Sequence, residues 1–126
     1  MNGFMVKSIG EMEAVNDGTT RLAGAELGVE SFGIQVFDFP AGFSDYPEHD
    51  HAGNGQEEVY VVLDGSAEFE INGQPVSLDR QRMLWVGAGT RRRLEPGPEG
   101  VRILVIGSTP GKRYERPEGL RLPARP

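Results

Sequence analysis

The chain carries two histidines, His49 and His51, with one residue between them, and Glu58 follows seven positions after the second, at the head of an apolar run. Along an extended backbone, residues i and i+2 project to the same side, so His49 and His51 point together while Asp50 faces away. A strand beginning near Glu57 can pair beside the histidine segment and bring a Glu58 oxygen next to the two imidazoles. Two imidazoles and one carboxylate suit Fe(II), Mn(II), Ni(II), Cu(II) or Zn(II), and they leave coordination positions open for water or substrate. The same residues also allow a plainer arrangement, with two solvated histidines on a loop edge and a polar strand start.

The elements that must position these groups are short and extended. The chain has 126 residues, enough for one compact domain. Its 18 glycines and 9 prolines punctuate short apolar runs, the pattern of many strands joined by tight turns. The run ESFGIQVFDFP sets Phe32, Ile34, Val36 and Asp38 on one face, and Gly33, Gln35, Phe37 and Phe39 on the other. EEVYVVL is predicted as a strand, Asp64-Gly65 as a turn and AEFEI as a second strand. Asn72-Gly73 is predicted as another turn and QPVSL as a third strand, giving a meander over residues 57–78. RMLWV and VRILVIG add two more strands. GEMEAV near Gly10 predicts one helical turn, and Trp85 and the phenylalanines are expected in the core. The tail after residue 108 holds four prolines and mixed charge, and is expected to wrap the surface or fray. The implied class is all-β, an antiparallel sandwich or barrel.

Composition narrows the function classes. The absence of cysteine excludes disulfides and thiolate metal sites and favours a reducing compartment. A formal charge of -6 argues against nucleic acid and anionic lipid as partners. No run approaches the ~20 apolar residues of a spanning helix, and the first residues lack the pattern of a signal peptide. The expected location is the cytoplasm.

The histidine region resembles the first motif of the cupin superfamily, G-x5-H-x-H-x3,4-E-x6-G. Gly42 stands for the first glycine, with six residues before His49, and six residues separate Glu58 from Gly65. The gap between His51 and Glu58 is longer than the motif's and reads as an extended surface turn. The second motif, G-x5-P-x-G-x2-H-x3-N, is matched loosely by LDRQRMLWVGAGTRRRLEP, with Asp79-Arg80 at its start and Gly87-Ala88-Gly89 in place of Pro-x-Gly. Its histidine position falls on Arg92. The resemblance implies a double-stranded, jelly-roll β-barrel over residues 30–108, preceded by N-terminal strands and connections at 1–29 and followed by the Pro-rich tail at 109–126. It also implies a site in the barrel mouth and association through a sheet, hence a homodimer, since VYVVL and RILVI are apolar on both faces.

Arg92 is the departure from that pattern. Strand alternation points it opposite to Arg91 and Arg93. An inward Arg92 places a permanent cation near the metal position, either paired with Glu58 in place of a metal or holding an anionic ligand beside a three-ligand metal. An edge strand with all three arginines solvated is the plainer alternative. Tyr60 shares a face with Glu58 and Val62, and is expected either to line the pocket or to pack in the core. Two functions follow as expectations. One is a metal-dependent oxygenase or isomerase acting on a small anionic molecule, with metal at His49, His51 and Glu58 and substrate at Arg92 and Tyr60. The other is a non-catalytic binding or sensing module with a vestigial metal site.

Overall fold

The computed structural model describes residues 3–124. A 3-10 turn at Ile9–Glu11 leads to two short strands, β1 (Ala14–Val15) and β2 (Thr20–Arg21), and a five-residue helix, α1 (Ala23–Leu27). The body follows as β3 (Gly33–Phe39), β4 (Glu57–Ile71), β5 (Gln74–Leu78), β6 (Met83–Val86) and β7 (Arg92–Ser108), and a second 3-10 turn lies at Glu118–Leu120. The strands run in the order β1-β2-β3-β7-β4-β5, with β6 also paired to β4. All pairings are antiparallel. The fold is an all-β jelly-roll whose sheet folds over itself without closing into a continuous ring.

Two long strands make that fold-over possible. The first half of β4 pairs with the second half of β7, from Glu57 opposite Ser108 to Gly65 opposite Val101, and their other halves pair from Ala67 opposite Pro96 to Ile71 opposite Arg92. Between the halves the register shifts at Val62/Asp64 and at Gly65/Ala67. The free edge of β4 takes β6 along its first half and β5 along its second. Asp64-Gly65, expected to reverse the chain, is instead a bulge inside a single fifteen-residue strand. The reason is local: Gly65 has φ 76°, and a Cβ there would lie 2.2 Å from the Gly100 carbonyl oxygen. The left-handed glycine bends the ribbon where β7 crosses close, which is what a bulge demands. Asn72-Gly73 does turn the chain, with φ 50° and 81°, the signature of a two-residue hairpin.

Alternation along the strands separates core from outer face. Tyr60, Val62, Phe69, Leu94, Ile103 and Val105 fill the inside. Phe69 is wholly buried, and its truncation to Ala carries a cost of about 3–5 kcal/mol. On the outer face, Met12 and Ala23 pack over Val36, with Ile34, Leu63 and Leu104 around them. Asp38, also outward, is held by Arg21 and Arg102.

Two expectations need correction. Trp85 is 62% exposed, because it alternates outward from edge strand β6 while Val86 points in, and its indole donates to Glu57 at 2.7 Å. Phe4 and Phe32 are exposed as well, whereas Phe39 and Phe69 are core residues. The segment near Gly10 forms one turn, of 3-10 type, and the one α-helix among the described residues starts at Ala23 and ends on Gly28 in the left-handed conformation. The tail lies along the body, where Arg116 donates to the carbonyls of Gly24 and Val29.

Candidate metal and ligand site

The histidine segment lies beside β7 rather than beside β4, which corrects the expected pairing. His49 and Arg92 exchange both backbone hydrogen bonds, at 3.0 and 2.9 Å, and the His51 amide donates to Ala88 O at 2.7 Å. The residues after His51 curl back, with the amides of Asn54 and Gly55 donating to the His51 carbonyl. Gly55 takes the positive φ this requires, 74°. The longer gap before Glu58 is therefore a compact turn, and it returns the chain into β4 with Glu58 pointing inward.

Glu58 is the centre of the site. Its carboxylate accepts from the Tyr60 hydroxyl at 2.9 Å and from Gln56 Nε2 at 3.1 Å. The same oxygen that Tyr60 reaches lies 3.5 Å from His51 Nε2 and 3.8 Å from Arg92 Nη1. His49 completes the group: one ligand atom from each of His49, His51 and Glu58 lies within 4.8 Å of the others. The two imidazole rings stand nearly perpendicular, 5.1 Å apart. His49 Nδ1 lies 3.0 Å from the Pro47 carbonyl, which fixes the proton on that nitrogen and frees Nε2 as a donor atom.

Arg92 is completely buried, whereas Arg91 is exposed, Arg93 is half-buried, and both pair with acids outside the barrel. Its Nη2 donates to Gly87 O at 3.1 Å, whereas Nε and Nη1 have no hydrogen-bond partner among the described residues. A buried cation with two undirected donors is costly unless an anion or water meets them. The picture of three solvated arginines thus holds for Arg91 and Arg93 only.

The electrostatics favour metal-ready ligands. Burial lowers the His51 pKa below the usual imidazole value, His49 and Arg92 add to the lowering, and Glu58 opposes it. The result is a neutral ring, the ligating form. Burial also holds the Tyr60 and Tyr46 phenols far above their ordinary range, so both remain donors. Donor atoms around one metal with bonds of about 2.1 Å lie about 3–4 Å apart, so the observed cluster needs only side-chain adjustments to close on an ion. The residues fit a divalent transition metal with open positions, and a fixed cation stands beside it.

Tyr46 and Gln56 belong to the site although sequence reasoning did not single them out. The Tyr46 hydroxyl lies 2.8 Å from that of Tyr60, and its ring stands edge-on to His49 at 5.4 Å. Gln56 is two residues before Glu58 on the same side, a position that alternation could have revealed.

No family model matches the chain. It is 29% identical over 110 residues to an uncharacterised protein of Streptomyces coelicolor, covering 87% of this chain and 98% of that one. Among solved structures it is similar to a cupin protein from Bacteroides fragilis, with a TM-score of 0.71, 19% identity and 93% of each chain covered. An RmlC-like cupin from Desulfovibrio desulfuricans superposes with a TM-score of 0.54 at 29% identity, covering 63% of this chain and 73% of the other.

Proposed function

The chain folds as a small single-domain cupin, and from that premise we propose that it binds one divalent transition metal through His49, His51 and Glu58 and a small anionic molecule beside it. The observation that carries this reading is the Glu58 carboxylate, buried at the meeting point of both histidines, Tyr60 and Arg92. A metal held there would act as a Lewis acid or as a centre for oxygen chemistry, as in an isomerase or an oxygenase. Arg92 supplies the charge for the ligand: its undirected Nε and Nη1 each offer a donor to a carboxylate or phosphate oxygen. Tyr60 and Gln56 hold the Glu58 carboxylate in place, so it presents one geometry to whatever binds. Tyr60, protonated and linked to Tyr46, also offers a hydroxyl to a bound ligand.

A second reading has its own support. The Arg92–Glu58 approach at 3.8 Å is an ion pair that satisfies both charges without a metal. In that reading the protein is a non-catalytic binding or sensing module with a vestigial metal site. Elemental analysis of protein purified without a chelating column separates the two, and a thermal-shift screen of small organic acids tests the ligand in either case. We place the protein in the cytoplasm as a homodimer. The outer face of the sheet supports the dimer, with Val59 opposite both Trp85 and Ile106, and Met83 75% exposed.

A further inference from the structure

A second recess opens beside the candidate metal site. It is a cleft of about 780 Å³ between the Asn16–Thr20 turn and the loop after β3. Four aromatic rings form its wall. Phe37 and Phe39 stack at 5.0 Å between centroids, Phe39 and Phe43 stack at 4.4 Å, and Tyr46 closes on Phe37 and Phe39 at 5.6 and 5.9 Å with tilted planes. Asp17 and Asp45, both exposed, stand at its rim, and no basic residue lines it. Tyr46 is the shared partition: it lines the cleft and also touches His49 and Tyr60 on the metal side.

We propose that this cleft binds a soft alkylated cation, such as a quaternary ammonium group. Aromatic faces attract a cation through their quadrupole, and the gain is larger when the cation is poorly hydrated. Alkyl groups around the charge supply the apolar surface that the phenylalanine wall covers, and Asp17 and Asp45 supply the counter-charge. A neutral planar ring would use the wall but leave the two carboxylates without purpose, and an anion would be repelled by them. The cleft adjoins the site proposed above through Tyr46, and its binding of a cation does not depend on that reading.

The test is calorimetric titration with choline, with its uncharged isostere in which carbon replaces nitrogen, and with benzyl alcohol. Choline is expected to bind, with the two neutral compounds at least about tenfold weaker. Asp45→Asn, an exposed change that leaves the fold intact, weakens choline about two- to threefold, and Phe43→Ala weakens it about tenfold. Equal or tighter binding of either neutral compound would overturn the proposal, as would absence of choline binding or unchanged affinity in both variants. Chelator-treated protein is titrated in parallel and should bind choline as before. Metal content and choline binding thus fail independently.

Discussion

At the scale of single residues, Glu58 and Arg92 decide what the site is. Glu58→Gln removes the one carboxylate that faces Arg92 inside the barrel. It should cost about 2–4 kcal/mol in denaturant unfolding of the metal-free protein, because a buried cation loses its counter-charge. An unchanged midpoint would show that Arg92 is satisfied by other means. His51 carries a pH signature. Its folded pKa lies below the unfolded value of about 6.5, so the folded state binds fewer protons than the unfolded chain in that window. Metal-free stability should therefore rise as pH increases from the lowered folded pKa to about 6.5, and this contribution should be level outside that window. His51→Gln should remove this part of the slope, and a slope identical in both proteins would contradict the assignment. Alternation showed only that Arg92 faces opposite to Arg91 and Arg93; its inward direction was one of two expectations, the one its position in the second motif favoured. The Tyr46 contact was not legible. It depends on a loop fold that brings a ring three residues before His49 onto a tyrosine from β4, and no periodicity encodes such a meeting.

At the scale of elements, the bent ribbon of β4 and β7 is what places the site. It brings Glu58, on one half of β4, over the start of β7, where Arg92 and His49 pair. Gly65→Ala should be severely destabilising, by about 2–5 kcal/mol, since it combines a positive φ with a Cβ driven onto the Gly100 carbonyl. Gly73→Ala meets no atom within 4 Å and should cost only about 1 kcal/mol, from its positive φ. Equal effects of the two in chemical denaturation would remove the bulge from the account. The pair also shows why one glycine was misread. Asp-Gly and Asn-Gly carry the same local preference for positive φ, and that preference serves a turn at residue 73 and a bulge at residue 65. What differs is the approach of Gly100, 35 positions away in the chain, and local spacing is blind to it. The pairing of His49 with Arg92 was missed for the same reason. The strands themselves were legible, because apolar alternation is a local consequence of burying one face.

At the scale of the whole molecule, the barrel interior, the outer face and the charge distribution each make a demand. Asp38 links β2, β3 and β7 through Arg21 and Arg102. Burial raises its pKa, but hydrogen bonds and charge from the two guanidiniums outweigh this and hold it below the usual carboxylate range. Its stabilisation is present above the unfolded pKa of about 4 and is lost as pH falls through the lower folded value. Asp38→Asn should flatten acid unfolding below about pH 4 and leave a smaller change at neutral pH. On the outer face, exposed Trp85 and Met83 continue the apolar surface of Val59 and Val61. Light scattering should give a dimer at micromolar concentration, and Trp85→Lys should shift it to monomer; a monomeric parent protein would contradict the proposed interface. Local pattern suggested that Trp85 packs inside, because sequence marks the tryptophan as apolar but does not reveal that β6 is an edge. The central claim, a metal at His49, His51 and Glu58, has the most direct test. Elemental analysis of protein purified without a chelating column, or incubated with Fe(II), Ni(II), Zn(II), Cu(II) and Mn(II) and then desalted, should give about one equivalent per chain. His49→Ala should lose it. Metal-free protein after that incubation, or metal content unchanged by His49→Ala, would contradict the account.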